Sequence, residues 1–127
     1  MNNALKNLMP LSRILLASLF IVAGVSKIGN YAGTQGYMAS AGLPGFLLPL
    51  VILLEAGGAL ALIVGFQVRL VALAMAGFTI VSALLFHFNF ADQMQSLMFL
   101  KNLSIAGGLL TLAASGAGRW SIDEGRG

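Results

Sequence analysis

Cysteine is absent from the chain and histidine occurs once, which excludes disulfide relays, thiolate nucleophiles, thiolate-held zinc and iron–sulfur clusters. One histidine and scattered methionines supply no ligand set for a metal or haem. Charge is equally scarce: Asp, Glu, Lys and Arg make up 9% of the residues, against about 25% in soluble proteins. So few polar groups cannot clothe a 127-residue core in water. The seven Lys and Arg give a net charge of +3 but stand singly, without the patch that marks a nucleic-acid partner. No nucleophile elbow, phosphate loop or zinc motif is present, so no motif names a reaction.

What the chain has in abundance is apolar sequence, 58% of its residues, with a mean hydropathy of +0.92. Four stretches, about 8–28, 46–65, 70–90 and 97–117, each reach the roughly 20 residues that a helix needs to cross a bilayer. Together they take up most of the chain and predict one all-α domain over residues 1–127, an integral membrane four-helix bundle. Lys6 and Arg13 ahead of the apolar run 14–25 share the layout of a signal peptide, but three further spans favour a retained anchor. Residues 29–45 are rich in glycine and read as a loop, with a short interfacial helix around 34–41. Tyr31, Tyr37 and, after the last span, Trp120 suit the headgroup zone. Pro44 and Pro49 precede and open the second span, where a missing backbone donor does least harm. A tight turn over 66–69 leads to the third span, which closes on His87, Phe88, Asn89 and Phe90, and Asp92, Gln93 and Gln95 form a polar link to the fourth.

Orientation follows from the basic residues, which are in excess on the cytoplasmic side. Lys6, Arg13, Arg69, Arg119 and Arg126 fall on one side, and only Lys27 and Lys101 on the other. Both termini are therefore expected in the cytoplasm. Small residues four apart mark where membrane helices approach closely: Gly57, Ala61 and Gly65 in the second span, Ala72 and Ala76 in the third, and Gly107, Thr111 and Ser115, beside Gly108, in the fourth.

The ionisable groups inside spans are the informative ones, because each costs about 2.5–3.5 kcal/mol at mid-bilayer unless it is paired, hydrated or able to reach an interface. Arg13 and Lys27 lie close to four helical turns apart, on one stripe and separated by roughly 21 Å; snorkelling to opposite headgroup layers accounts for both. Glu55 is too short for that. At mid-span it must be protonated, hydrated or paired with a cation, and small Gly58 and Ala59 let a ligand or a helix come close to it. A buried ion pair that only fixes packing is the competing account. His87 and Lys101 sit at the outer ends of adjacent antiparallel spans, at the depth of Lys27. With Asn89, Gln93 and Asn102 they would offer a polar pocket suited to an anion, a carbonyl or a quinone headgroup, unless water alone satisfies His87.

In their order along the chain these residues resemble the DoxX family of small four-span bacterial inner-membrane proteins. The resemblance is carried by Arg13, Phe20, Gly24 and Lys27; Tyr31 to Gln35 with Tyr37 and Met38; Leu43 to Phe46; Leu54 to Gly58; Gly65 and Arg69; His87; Phe99 to Asn102; Gly107 and Gly108; and Gly116 to Asp123. It implies a multi-pass protein of the bacterial inner membrane and an association with redox chemistry, since the family takes its name from a subunit of a thiosulfate to quinone oxidoreductase and another member looks like part of an oxidative-stress complex. The expected function is an accessory or quinone-interacting subunit of such a system, more an assistant to a redox-enzyme partner than an autonomous enzyme. Glu55 or His87 would exchange protons with the quinone, and Lys27 or Lys101 would stabilise by charge the anion formed on reduction. Two alternatives stand beside it: a small-solute transporter or permeation subunit, homo-oligomeric, with Arg13 and Glu55 along its path, and a ligand-free membrane assembly factor.

Overall fold

The computed structural model describes residues 5, 7–86, 90–118 and 121–123. Helix α1 (Leu8–Gly29) is followed by a short helix α2 (Tyr31–Ser40) and by α3 (Gly45–Val64), α4 (Val68–Phe86) and α5 (Gln93–Ser115). The four long helices hold 19 to 23 residues each, or about 29–35 Å at 1.5 Å per residue, which matches a hydrocarbon layer of about 30 Å. They form an integral membrane bundle. The expected spans recur with ends moved by a few residues, and three of the moves have a visible cause; residues 87–89, at the expected end of the third span, lie outside the described residues.

Helix α5 starts four residues before the expected 97, because the Asp92 carboxylate accepts hydrogen bonds from the backbone N–H groups of Met94 and Gln95 and caps it. Helix α4 starts at Val68 because a carboxylate from the far end of the chain, Asp123, accepts from the N–H groups of Gln67 and Val68 at 2.9 and 2.8 Å. Helix α3 stops at Gly65, whose φ of +77° is a left-handed turn that glycine enters without steric cost. The N–H groups of Gly65 and Phe66 both return to the carbonyl of Ala61. Proline tolerance is as expected, with Pro49 in the first turn of the α-helical part of α3.

One core holds the four spans together. Ala17 and Phe20 of α1, Ala59 and Leu62 of α3, Val68, Ala72, Met75 and Ala76 of α4, and Ala106, Leu109 and Leu112 of α5 form a contiguous buried cluster, closed by Ala117. Most of these lie in the half of the bundle nearer the chain termini, here the terminal end. The opposite half, the loop end, holds α2 and the cavities described below.

The small residues divide unevenly. A methyl group on Gly58 would press on the Met75 sulfur at 2.9 Å, and one on Gly108 would meet Leu16 at 3.1 Å. Ala72 and Ala76 are buried and Ala61 is half-buried. Gly57 instead meets only Leu53 of its own helix, and Gly107 meets nothing. The stripe Gly107, Thr111 and Ser115 faces outward, because Ala106, Leu109 and Leu112 already define the inner face of α5. Spacing alone had assigned it to helix contact.

Candidate functional site

The inward stripe of α1 runs through Arg13, Ala17, Phe20 and Gly24, all buried, to half-buried Lys27. Its steps of four and three residues keep one face of a helix toward a partner. At Gly24 that partner is α3 at backbone contact: a Cβ there would lie 2.9 Å from both the Cβ and the backbone nitrogen of Ala56. Glycine is the residue that permits this approach. It brings Lys27, three positions on, beside Glu55.

Around Glu55 the α3 backbone widens into a π-helical turn, Leu53–Gly57. Such turns carry one extra residue, are rare, and often occur at functional sites. Glu55 as a whole residue is 4% exposed, and its Oε1 lies 2.7 Å from Lys27 Nζ. In a low-dielectric surrounding an isolated carboxylate is costly, and the ammonium on the facing helix offsets that cost.

Two cavities adjoin this pair. One, of about 200 Å³, lies beneath α2 and is bordered by Lys27, Thr34, Tyr37, Met38, Glu55 and Phe86, among others. The other, of about 170 Å³ between α1, α4 and α5, is bordered by Phe20, Glu55, Thr79, Ser82, Lys101 and Asn102, among others. Glu55, Phe78 and Ser82 belong to both walls. Helix α2 roofs the first: Tyr37 stacks on Phe86 with ring centroids 4.9 Å apart, and Gln35 Nε2 donates to the Gly45 carbonyl at 3.2 Å. In the second, Asn102 Nδ2 donates to the Thr79 carbonyl at 3.5 Å.

Of the residues singled out in the sequence, Lys27, Glu55, Lys101 and Asn102 are therefore gathered at the loop end. His87 and Asn89 lie outside the described residues, as do Lys6, Arg119, Trp120 and Arg126. Gln93 is exposed at the start of α5. Arg13 lines neither cavity. It also does not snorkel: it is fully buried, and its Nη1 donates to the carbonyls of Leu62 and Ile63 at 3.2 and 3.0 Å. These are carbonyls that the end of α3 leaves without helical partners, so a cation there also complements the helix dipole. Among the described residues no three His, Cys, Asp or Glu side chains gather where they could hold a metal ion.

The sequence reading missed Tyr37, Phe78, Ser82 and Phe86 as cavity walls, Gly24 as the close approach, and the π turn. A period-three-and-four count along α1 would have found Gly24. Nothing local announces the π turn.

Three comparisons bear on kinship. The family model described as DoxX matches residues 8–88. The chain is 59% identical over 113 residues to "Inner membrane protein YqjF" of Escherichia coli (strain K12), covering 89% of this chain and 87% of that protein. It is 33% identical over 124 residues to "Inner membrane protein YphA" of the same organism, covering 92% and 89%. No solved structure matches it.

Proposed function

The chain belongs to the DoxX family and is a multi-pass protein of the bacterial inner membrane, and from that premise we propose that it is an accessory subunit which receives a quinone-like headgroup beside the Lys27–Glu55 pair. Both termini would face the cytoplasm, and a redox or oxidative-stress enzyme would be the partner. The observation that carries this reading is an ion pair, 2.7 Å long, whose buried carboxylate borders two cavities and whose half-buried ammonium borders the one beneath α2, instead of both standing in packed core. A pair that served packing alone would be covered on all sides.

The cavity beneath α2 suits such a group in size and chemistry. At about 200 Å³ it falls below the roughly 300–1,000 Å³ of sites that enclose a whole drug-sized ligand, so it takes a head and leaves an apolar tail in the lipid. Phe78, Phe86 and Tyr37 stand in its wall as aromatic neighbours for a flat ring. Lys27 Nζ donates to a carbonyl oxygen or stabilises negative charge on it, and Glu55 accepts a hydrogen bond from a hydroxyl or takes up its proton. A headgroup seated beneath α2 would displace water from the pair, which would strengthen both interactions. A bound quinone would supply the electron-accepting chemistry; the electrons would come from the partner.

The test is mass spectrometry of lipids and proteins that co-purify with the gently solubilised chain, for wild type and Glu55→Gln. Quinone or a redox enzyme enriched with wild type and lost from the variant is the expected result. Absence of both from wild type would remove the reading, and solute accumulation altered by the variant would favour permeation.

A further inference from the structure

The second cavity has a different charge balance from the first. Glu55 is matched by Lys27 at 2.7 Å, which leaves Lys101, on the α5 side of this cavity, as an uncompensated cation. Among the described residues no carboxylate lies within ion-pair distance of its ammonium. Lys101 stands eight residues into α5, about 12 Å from the helix start, inside the apolar span, where a cation is costly unless it meets a counter-charge or reaches the headgroups; the residue is exposed, so its ammonium is open to an occupant that arrives from lipid. Beside it are the Asn102 amide, with a second N–H beyond the one given to Thr79, and the Ser82 hydroxyl. The rest of the wall is Leu19, Phe20, Ala23, Phe78 and Ile105. Leu19 is 42% exposed on the outer surface of α1, so an occupant's apolar part would continue into lipid past it.

We infer that this cavity is an anion site that takes the singly charged acidic head of a membrane amphiphile, a carboxylate or a phosphate diester, on Lys101, Asn102 and Ser82. The site shares Glu55, Phe78 and Ser82 with the cavity beneath α2, but Lys101 and Asn102 border this cavity alone, and the inference does not rest on the quinone reading. Charge sets the preference: with Lys27 and Glu55 cancelling, one positive charge remains, and a single negative charge neutralises it in a setting where imbalance is costly. Volume sets the limit, since about 170 Å³ holds a headgroup and not its chains. Simple snorkelling of Lys101 to the bilayer surface is the competing account, and it requires no ligand in the cavity.

Native mass spectrometry of the full chain in non-ionic detergent tests the inference, with palmitoleate, dioleoylphosphatidylglycerol and zwitterionic dioleoylphosphatidylcholine as probes. One equivalent of an anionic probe should be retained, and Lys101→Gln should weaken retention about tenfold or more, the weight of one charge-assisted hydrogen bond. Lys101→Arg should restore most of it. Asn102→Ala keeps every charge and should weaken it severalfold, which guards against a misfolded Lys101 variant. Palmitoleate alone retained would identify a free acid as the source, and phosphatidylglycerol alone a lipid headgroup. Tyr37→Ala, which touches only the cavity beneath α2, should leave anion retention intact even where it lowers quinone co-purification, so the two sites fail separately. Phosphatidylcholine held as tightly as the anions, or retention indifferent to both Lys101→Gln and Asn102→Ala, would overturn the assignment.

Discussion

At the terminal end of the bundle three charged side chains bond to backbone at helix ends; at the loop end three others border cavities. Arg13 donates to the last carbonyls of α3, Arg69 to the Ala114 carbonyl of α5 at 2.7 Å, and Asp123 accepts from the first N–H groups around α4. Each charge has the sign that its helix dipole favours. At the loop end Lys27 and Glu55 bond to one another across two helices, and Lys101 lines a cavity. A charge that completes a helix terminus is committed to the fold, whereas one facing a cavity keeps bonding capacity for a ligand. Burial does not separate the two kinds, since Arg13 is buried more completely than Glu55. The nature of the partner does.

The largest expected effect breaks the terminal end. Arg13→Met leaves one buried and one part-buried carbonyl without this donor, at about 1–3 kcal/mol each, so a stability loss of about 4 kcal/mol is expected. Equilibrium unfolding in mixed detergent micelles measures it. The folded fraction should retain amphiphiles as wild type does, and selective loss of retention would make Arg13 part of the site after all.

The next effect sharpens the contrast within the loop end. Lys27→Met strands the Glu55 carboxylate and should cost about 3 kcal/mol, the low end for a broken buried pair, because the Lys27 side chain is 28% exposed. Glu55→Gln leaves a lysine that can extend toward headgroups, and should cost only about 1 kcal/mol. The double variant should regain most of the Lys27→Met loss. Equal costs for the two single changes in the same unfolding measurement would mean that the pair acts as packing.

Gly24→Ala comes third, at about 2 kcal/mol, the usual cost of forcing a methyl into a closed contact. By levering α1 away from Ala56 it should also part Lys27 from Glu55. Co-purification of quinone would then fall together with stability, and a variant that lost stability but kept its ligand would show that the helix crossing does not position the pair.

These contrasts were only partly legible in the sequence. Spans are legible because lipid requires long apolar runs, and Glu55, Lys27 and Lys101 stand out because charge in such runs is rare. The role of Arg13 is not legible, since snorkelling and helix capping leave the same trace, one cation near a span end; the partner carbonyls are 49 and 50 residues away. The cap from Asp123 is hidden for the same reason, its partners lying 55 and 56 residues earlier. The π turn depends on tertiary contacts and has no local code. Small-residue spacing reads two ways as well: Gly58 and Gly107 both belong to small-residue patterns, yet one meets Met75 and the other open space.

That last pair yields the smallest expected effect. Gly107→Ala adds a methyl where, beyond the adjoining residues and backbone of its own helix, nothing lies within 4 Å, on a helix whose backbone an alanine suits better than a glycine. Stability should change by no more than about 0.5 kcal/mol in either direction, and the amphiphile retained per folded chain should not change. Gly108→Ala, one position on and 3.1 Å from Leu16, serves as the internal contrast and should destabilise by more. A clear loss from Gly107→Ala would require something to cover the Gly107, Thr111 and Ser115 face in the membrane. Crosslinking would then show whether that cover is a second copy of the chain, as a homo-oligomer would require, and a null result at Gly107 would leave the face to lipid.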